Sequence, residues 1–317
     1  MKTGPGAYDA LQQRTLDGEI VWHYTSWQSA EGILRSNELW ATDYRFLNDL
    51  SECLHALEIA RGRFDVPFDY LNYRIDEILA EREKLEPAYV VSLSRAFDSL
   101  GQWRAYAQGS AGIALGFSKP ALERLGALYG LQVLTCVYAE ADKQEMFRDQ
   151  HTRWTQFYED GIRRAAAAQT DMQRHIIERP LRDVGGAAFQ EFMHTLALRF
   201  KHPSFASEDE VRLASGFVGF SGEMGHCPWY PMPFGRRKRD ATDITYYRMP
   251  LTSNPAQTLA SVTQMTVEDI PHPLAGVLVG PTAGPEGAGR AKQLLSRQRP
   301  ELEANVVIVS SRVPLRF

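Results

Sequence analysis

The chain of 317 residues is 44% hydrophobic and 23% charged, a globular composition that excludes a disordered, collagenous or fibrous protein. With 35 basic against 39 acidic residues the net charge is −4, so no general attraction draws it to phosphate backbones or anionic lipid, and any nucleic-acid contact must be local. No apolar run approaches the ~18 residues of a membrane helix, and the opening MKTGPGAYDALQQRTLDGEI lacks an apolar signal core. A cytoplasmic protein with no membrane partner is expected.

Residues 1–18 are mixed and polar and read as an N-terminal extension. Glu19 to Tyr24, with Ile20 and Trp22 alternating against more polar neighbours, predicts a first strand. Thr25 or Ser26 caps a short helix to about Asn37, with an apolar edge of Ala30, Ile33 and Leu34. LWAT (39–42) predicts a second strand. Two amphipathic helices follow, one on Leu50, Cys53, Leu54 and Leu57, the next on Leu71, Ile75, Ile78 and Leu79, ending before Pro87.

YVVSLS (89–94), GIALGF (112–117) and LQVLTCVY (131–138) read as neighbouring strands. From 139 to 199 Ala, Arg, Gln and Glu dominate, predicting a helical insertion divided by Pro180 and the Gly185-Gly186 pair. EVRLAS (210–215) and ITYYRMPL (244–251) resume strand character, with an irregular Gly-, Pro- and Arg-rich stretch between them. The chain ends on LAGVLVG, a Gly-rich loop, the helix RAKQLLSRQ and NVVIVSS, which together read as a βαβ unit. These elements predict a single α+β domain over residues 19–317, its sheet antiparallel or mixed, with the helices of the insertion packed outside it.

Several tempting motifs fail on spacing. In GPTAGPEGAGRAK, Gly289 is followed by Arg290 and Ala291, not the Lys-Ser/Thr of a phosphate loop. Neither Gly109-Ser110-Ala111-Gly112 nor Gly219-Phe220-Ser221-Gly222 has the GxSxG spacing of a nucleophile elbow. Cys53, Cys136 and Cys227 stand too far apart for a CxxC pair, and His226-Cys227 has no second pair at zinc spacing, so free thiols and no metal are expected.

Three polar sets remain. His23 lies in HYTS at the end of the first strand, where a lone histidine is otherwise a satisfied strand residue. Asn48-Asp49 with Glu52 follow Trp40, Tyr44 and Phe46, and read equally as a helix N-cap. Glu208-Asp209-Glu210 lead into Val211-Arg212, as a solvated acidic turn or as a paired-carboxylate site. The dense basic run Arg236-Arg237-Lys238-Arg239 reads as a solvated loop or as a contact for a pyrophosphate or a nucleic acid.

The order HYTS, RSNELWAT, LNDLSE, VVSLS, QWRAYAQGSAGIALGF, FKHPSFASEDEVRL, VLVGP and VVIVSSRVPLRF resembles the DUF2971 family of unknown function over about residues 19–317. That family in turn is similar to a distant branch of the ADP-ribosyltransferase fold, since HYTS, the helix and LWAT echo its His-led first strand, helix and second strand. The resemblance implies a split central β-sheet with flanking helices, and an NAD-consuming ADP-ribosyltransferase or NAD glycohydrolase acting on a protein or nucleic-acid acceptor, as a toxin or defence effector. By the same resemblance His23 holds a ribose of NAD, Tyr24, Trp40 or Tyr44 stacks on nicotinamide, and Glu208 or Glu210 is the catalytic carboxylate. Thr25, Asn48, Asp49, Ser94, Trp103, Tyr106 and Arg212, in the matching motifs, would line the NAD cleft. The Gly that the class carries after its His is Tyr24 here. Two other classes compete: a non-catalytic nucleotide-binding module, and a metal-dependent nuclease on Asp49, Glu52, Glu208 and Glu210.

Overall fold

A computed structural model describes residues 6–47, 51–65, 68–81, 87–182, 196–215, 234–239, 242–253 and 270–314. Its first half runs α1 (Ala7–Leu16), β1 (Ile20–Thr25), α2 (Trp27–Ser36), β2 (Glu38–Asp43), α3 (Ser51–Ala60), α4 (Tyr70–Ala80), β3 (Tyr89–Ser94), α5 (Leu100–Tyr106), β4 (Ile113–Ser118), α6 (Lys119–Leu128) and β5 (Leu131–Thr135). The second half adds α7 (Glu140–Ala166), α8 (Asp171–Arg182), β6 (Glu210–Ser215), β7 (Phe234–Arg239), β8 (Thr242–Pro250), β9 (Leu274–Val279), α9 (Gly287–Gln298) and β10 (Val307–Ser310).

The strands form one sheet in the order β10-β9-β4-β1-β3-β2-β8-β7, with β6 and then β5 added on β3. It is mixed: β9 and β10, joined through α9 as the βαβ pattern predicts, are parallel, and the other pairs are antiparallel. The architecture is α+β, and the five strands expected to share a central sheet do share it.

The sheet forks at β3. One edge of β3 pairs with β6 from Val90 to Ser94. The opposite edge is divided between two strands: β1 touches it only at Trp22↔Ser94, and β2 only at Thr42↔Val90 and Asp43↔Tyr89. A strand has two edges, so β1 and β2 must diverge along the one they share.

Alternation along β3 then separates two layers. Val91 and Leu93 join the main core with Leu34 of α2, Leu122 of α6 and Leu295 of α9. The other face has two covers. Leu57 of α3, Ile75 of α4 and Phe147 of α7 pack over Val90 and Ala214, while Leu11 of α1 packs with Ile20 and Trp22. Ser92, Ser94, Glu210 and Arg212 lie on this second face, between the covers, because Ser94 pairs with Glu210 and Ser92 with Arg212.

Local choices agree with this layout. Ser26 caps α2 by accepting the Ser29 amide at 3.0 Å, and Asn37 ends it in the left-handed conformation. Trp22 donates its indole N–H to Thr15 Oγ1 at 2.9 Å, which ties α1 to the sheet although the opening residues read as an extension. The indole lies over Gly116, its direct partner on β4, where an added Cβ would stand 2.8 Å from two ring carbons. Gly116→Ala is therefore expected to destabilise the protein by about 1–3 kcal/mol through overpacking, read as a lower urea midpoint with an unchanged m-value.

Two readings of the sequence need correction. The stretch between 215 and 244 contains β7, paired with β8 from Phe234↔Tyr247 to Arg239↔Thr242; its Arg and Lys residues hide the strand because their β-propensity is low. The insertion is not broken at Pro180, which lies inside α8. The break comes at residues 167–170, where Thr170 Oγ1 accepts the Gln173 amide at 3.2 Å and starts α8 anew. The Gly185-Gly186 pair lies outside the described residues.

Candidate active site

A cavity of about 160 Å³ opens where β1 leaves β3, with His23 and Tyr24, Ser94, Tyr106, Glu208, Glu210 and Arg212 on its wall. Three sequence-distant segments meet there: the end of β1, the β3–α5 region, and the chain entering β6.

His23 presents one ring nitrogen. Its Nδ1 lies 3.1 Å from the Ser92 carbonyl oxygen. A carbonyl only accepts, so Nδ1 carries the proton and Nε2 keeps its lone pair. Burial lowers the pKa of the ring below its usual 6.5, only partly offset by the bond to Ser92, so the imidazole is neutral at pH 7. Nε2 has no protein partner among the described residues.

The carboxylates are arranged differently from a simple strand pair. Glu210 opens β6, but Glu208 ends a 3₁₀ turn (Pro203–Glu208), and Asp209 between them adopts a left-handed conformation with φ 43°. Asp209 points away and is held by Arg95, whose Nε donates to Oδ1 at 2.9 Å and whose amide donates to the Asp209 carbonyl at 2.9 Å. With the kink fixed, Glu208 and Glu210 converge on one ammonium: Lys201 Nζ lies 2.5 Å from Glu208 Oε2 and 2.7 Å from Glu210 Oε2.

Glu210 is committed to this network. Besides Lys201, it accepts Arg212 Nε at 3.1 Å on Oε1 and Arg212 Nη2 at 3.2 Å on Oε2, and it is 4% exposed. Burial by itself would raise the pKa of the carboxyl, but the charges and hydrogen bonds of Arg212 and Lys201 outweigh it and bring the group to about 2. Arg212 in turn donates Nη1 to the Leu198 carbonyl at 3.0 Å. Glu208 is held more lightly and is more open, its side chain 17% exposed against 5% for Glu210. Its Oε1 accepts the Tyr106 hydroxyl at 2.8 Å. Burial and that bond raise the pKa of the phenol, so it stays a donor. As ionised groups the two carboxylates balance Lys201 and Arg212.

Of the remaining candidates, Ser94 supports the loop by donating to the Glu208 carbonyl at 2.6 Å and accepting the Ala96 amide at 2.9 Å. Tyr24 borders the cavity, with its hydroxyl given to the Ala96 carbonyl at 2.7 Å and its ring edge-on to Trp103. Trp103 is fully buried in the core and donates to Asp98 Oδ1 at 2.8 Å. Thr25 and Tyr44 are buried and off the cavity wall, and Trp40 is exposed on β2. Asn48 and Asp49 lie outside the described residues.

Lys201, Gln102 and Phe205 enter the site without having been singled out in the sequence. Gln102 donates to the Glu208 carbonyl at 3.2 Å, and Phe205 lies under Lys201 Nζ at 5.0 Å. Nothing local marks Lys201, because a lysine reads as exposed unless its partners are known.

The model of the family described as "Protein of unknown function (DUF2971)" matches residues 102–213, and it is the family the order of motifs resembles. The matched segment runs from α5 to β6 and contains Gln102, Tyr106, Lys201, Glu208, Glu210 and Arg212. No curated protein and no solved structure matches the chain. Among the described residues no helix is long and apolar enough to cross a membrane.

Proposed function

We propose that the cavity binds NAD and cleaves the bond between nicotinamide and ribose, passing the ADP-ribosyl group to an acceptor nucleophile or to water. The observation that carries this reading is the meeting, at the fork of the sheet, of a neutral His23 whose Nε2 has no partner among the described residues and a partly exposed Glu208. At about 160 Å³ the cavity is smaller than the ~300–1,000 Å³ that encloses a drug-sized ligand. It suits the nicotinamide riboside end, with the adenylate half lying outside.

The roles follow from what each group can still do. When the C1′–N bond breaks, its electron pair leaves with nicotinamide and the ribose gains oxocarbenium character. A carboxylate fixed against a ribose hydroxyl stabilises that charge. Glu210 is held between Arg212 and Lys201, so Glu208 takes this role, oriented by Tyr106. His23 Nε2 accepts a hydrogen bond from a ribose hydroxyl and positions the sugar. The acceptor then adds to C1′ and loses its proton to solvent. Tyr24 is the stacking candidate that borders the cavity.

One observation favours a second reading, a nucleotide-binding module without turnover. Lys201 already neutralises Glu208 across 2.5 Å, which reduces what the carboxylate offers a developing cation. The nuclease reading loses ground on the same geometry, since Glu208 and Glu210 hold Lys201 and Arg212 in place of a metal. Incubation with NAD labelled separately in nicotinamide and adenylate decides. The transferase reading requires free nicotinamide, with label in water-soluble ADP-ribose or on a macromolecule. Binding with no nicotinamide release selects the module, and no binding rejects both.

A further inference from the structure

The register of the sheet places a second surface on the face that carries the cavity. Thr42 stands opposite Val90, and Val90 shares its face of β3 with Ser92 and Ser94, so Glu38, Trp40 and Thr42 share the face of Glu210 and Arg212. On β8, Arg248 stands opposite Trp40 and Tyr246 opposite Thr42. On β7, Gly235 stands opposite Tyr246 and Arg237 opposite Ile244. One strip therefore bears Trp40, Tyr246, Arg248 and Arg237, at the end of the sheet away from β10.

Its side chains hold one another through stacking and hydrogen bonds. Trp40 stacks on Tyr246 with ring centroids 4.4 Å apart and planes at 20°. Tyr246 is 9% exposed beneath it, while Trp40 is 44% exposed, so the indole offers an open face. Gly235 permits this arrangement, because a Cβ there would lie 2.2 Å from the Tyr246 ring. Arg237 reaches across β8 to donate to Thr42 Oγ1 at 3.1 Å, and Arg248 is set by Glu38 through bonds of 2.9 and 2.8 Å. Arg236, Arg237 and Lys238 are exposed along β7, which ends the strand order. Cations on an edge strand deter strand pairing, but that does not explain a tryptophan held flat and open beside them.

We infer that this face binds single-stranded nucleic acid, with a base stacked on the open side of Trp40 and the phosphates running past Arg237 and Arg248 on the same face. Stacking on an exposed indole accepts any base, and a duplex offers no unstacked base to it. The net charge of −4 leaves the rest of the molecule without general attraction for phosphate, so the affinity must come from this strip. The inference holds whether or not the cavity turns over NAD.

Anisotropy of a fluorescein-labelled oligothymidylate, titrated with the full chain at about 50 and about 200 mM salt, tests it. Saturable binding that weakens with salt is expected. Trp40→Ala should lose about 5- to 150-fold in affinity, the range of one base stack, and Trp40→Phe should lose less. Arg237→Ala should flatten the log–log salt slope by about 0.7, the share of one phosphate contact on a single strand. No binding at the lower salt would overturn the proposal. So would a Trp40→Ala protein that binds as well as wild type, equal affinity for duplex, or equal competition by polyglutamate, which would mark a charge-only surface for acidic proteins.

Discussion

Glu208→Gln is expected to lower NAD cleavage by about a hundredfold or more, the scale on which one preorganised electrostatic stabiliser acts. The amide keeps the size of the side chain and can still accept from Tyr106, so what is lost is the charge, which opposes the ribosyl cation and pairs with Lys201. NAD affinity should change far less, since that charge matters most after the glycosidic bond has lengthened. In steady-state terms kcat and kcat/KM fall together. Glu210→Gln separates the two carboxylates: its effect should appear first in stability, because Glu210 is bound to Arg212 and Lys201 and not open to substrate. A Glu208→Gln enzyme with full turnover would remove this residue from the mechanism.

Arg212→Met should be among the most destabilising single substitutions in the molecule. Arg212 is 2% exposed and Glu210 4%, and losing one partner of a buried ion pair typically costs about 3–5 kcal/mol because the other charge remains buried. Adding Glu210→Gln to Arg212→Met should recover part of the loss, which tells charge burial from lost packing. The pH dependence follows from the same pair. The Glu210 carboxyl sits at about 2 when folded against an ordinary 4.5, so between those values the unfolded chain binds the extra proton. Its contribution, about 3 kcal/mol at neutral pH, is fully present above about 4.5 and is lost as pH falls toward 2. Urea unfolding across that window should show this acid-side loss in wild type and a shallower one in Arg212→Met.

The strands were largely legible in the sequence and their pairing was not. YVVSLS and EVRLAS mark β3 and β6 with their observed limits, because buried strands keep a dense β-branched and aliphatic signature. The fork at β3 depends on which edge of one strand two distant segments share, and nothing local records that. The site shows the same division. HYTS and SEDEVRL stood out because polar residues interrupt apolar strands, and the structure brings His23, Glu208, Glu210 and Arg212 onto one cavity. Lys201 stayed hidden because its burial depends on the Asp209 kink and on its own contact with the chain after β5, where its amide donates to the Val137 carbonyl at 3.0 Å. Trp40, Tyr44 and Trp103 could not be sorted, since open stacking, core packing and a buried indole hydrogen bond all draw on the same residue types.

If the ribose of NAD lies between His23 and Glu208, binding isotherms for NAD on wild type, His23→Ala and Glu208→Gln will report it. Saturable binding to wild type is expected, with a loss of about 2- to 10-fold for His23→Ala, the worth of one hydrogen bond made in the ground state, and nearly unchanged affinity for Glu208→Gln. Absence of binding to wild type, or a His23→Ala protein that binds NAD as tightly as wild type, would contradict it.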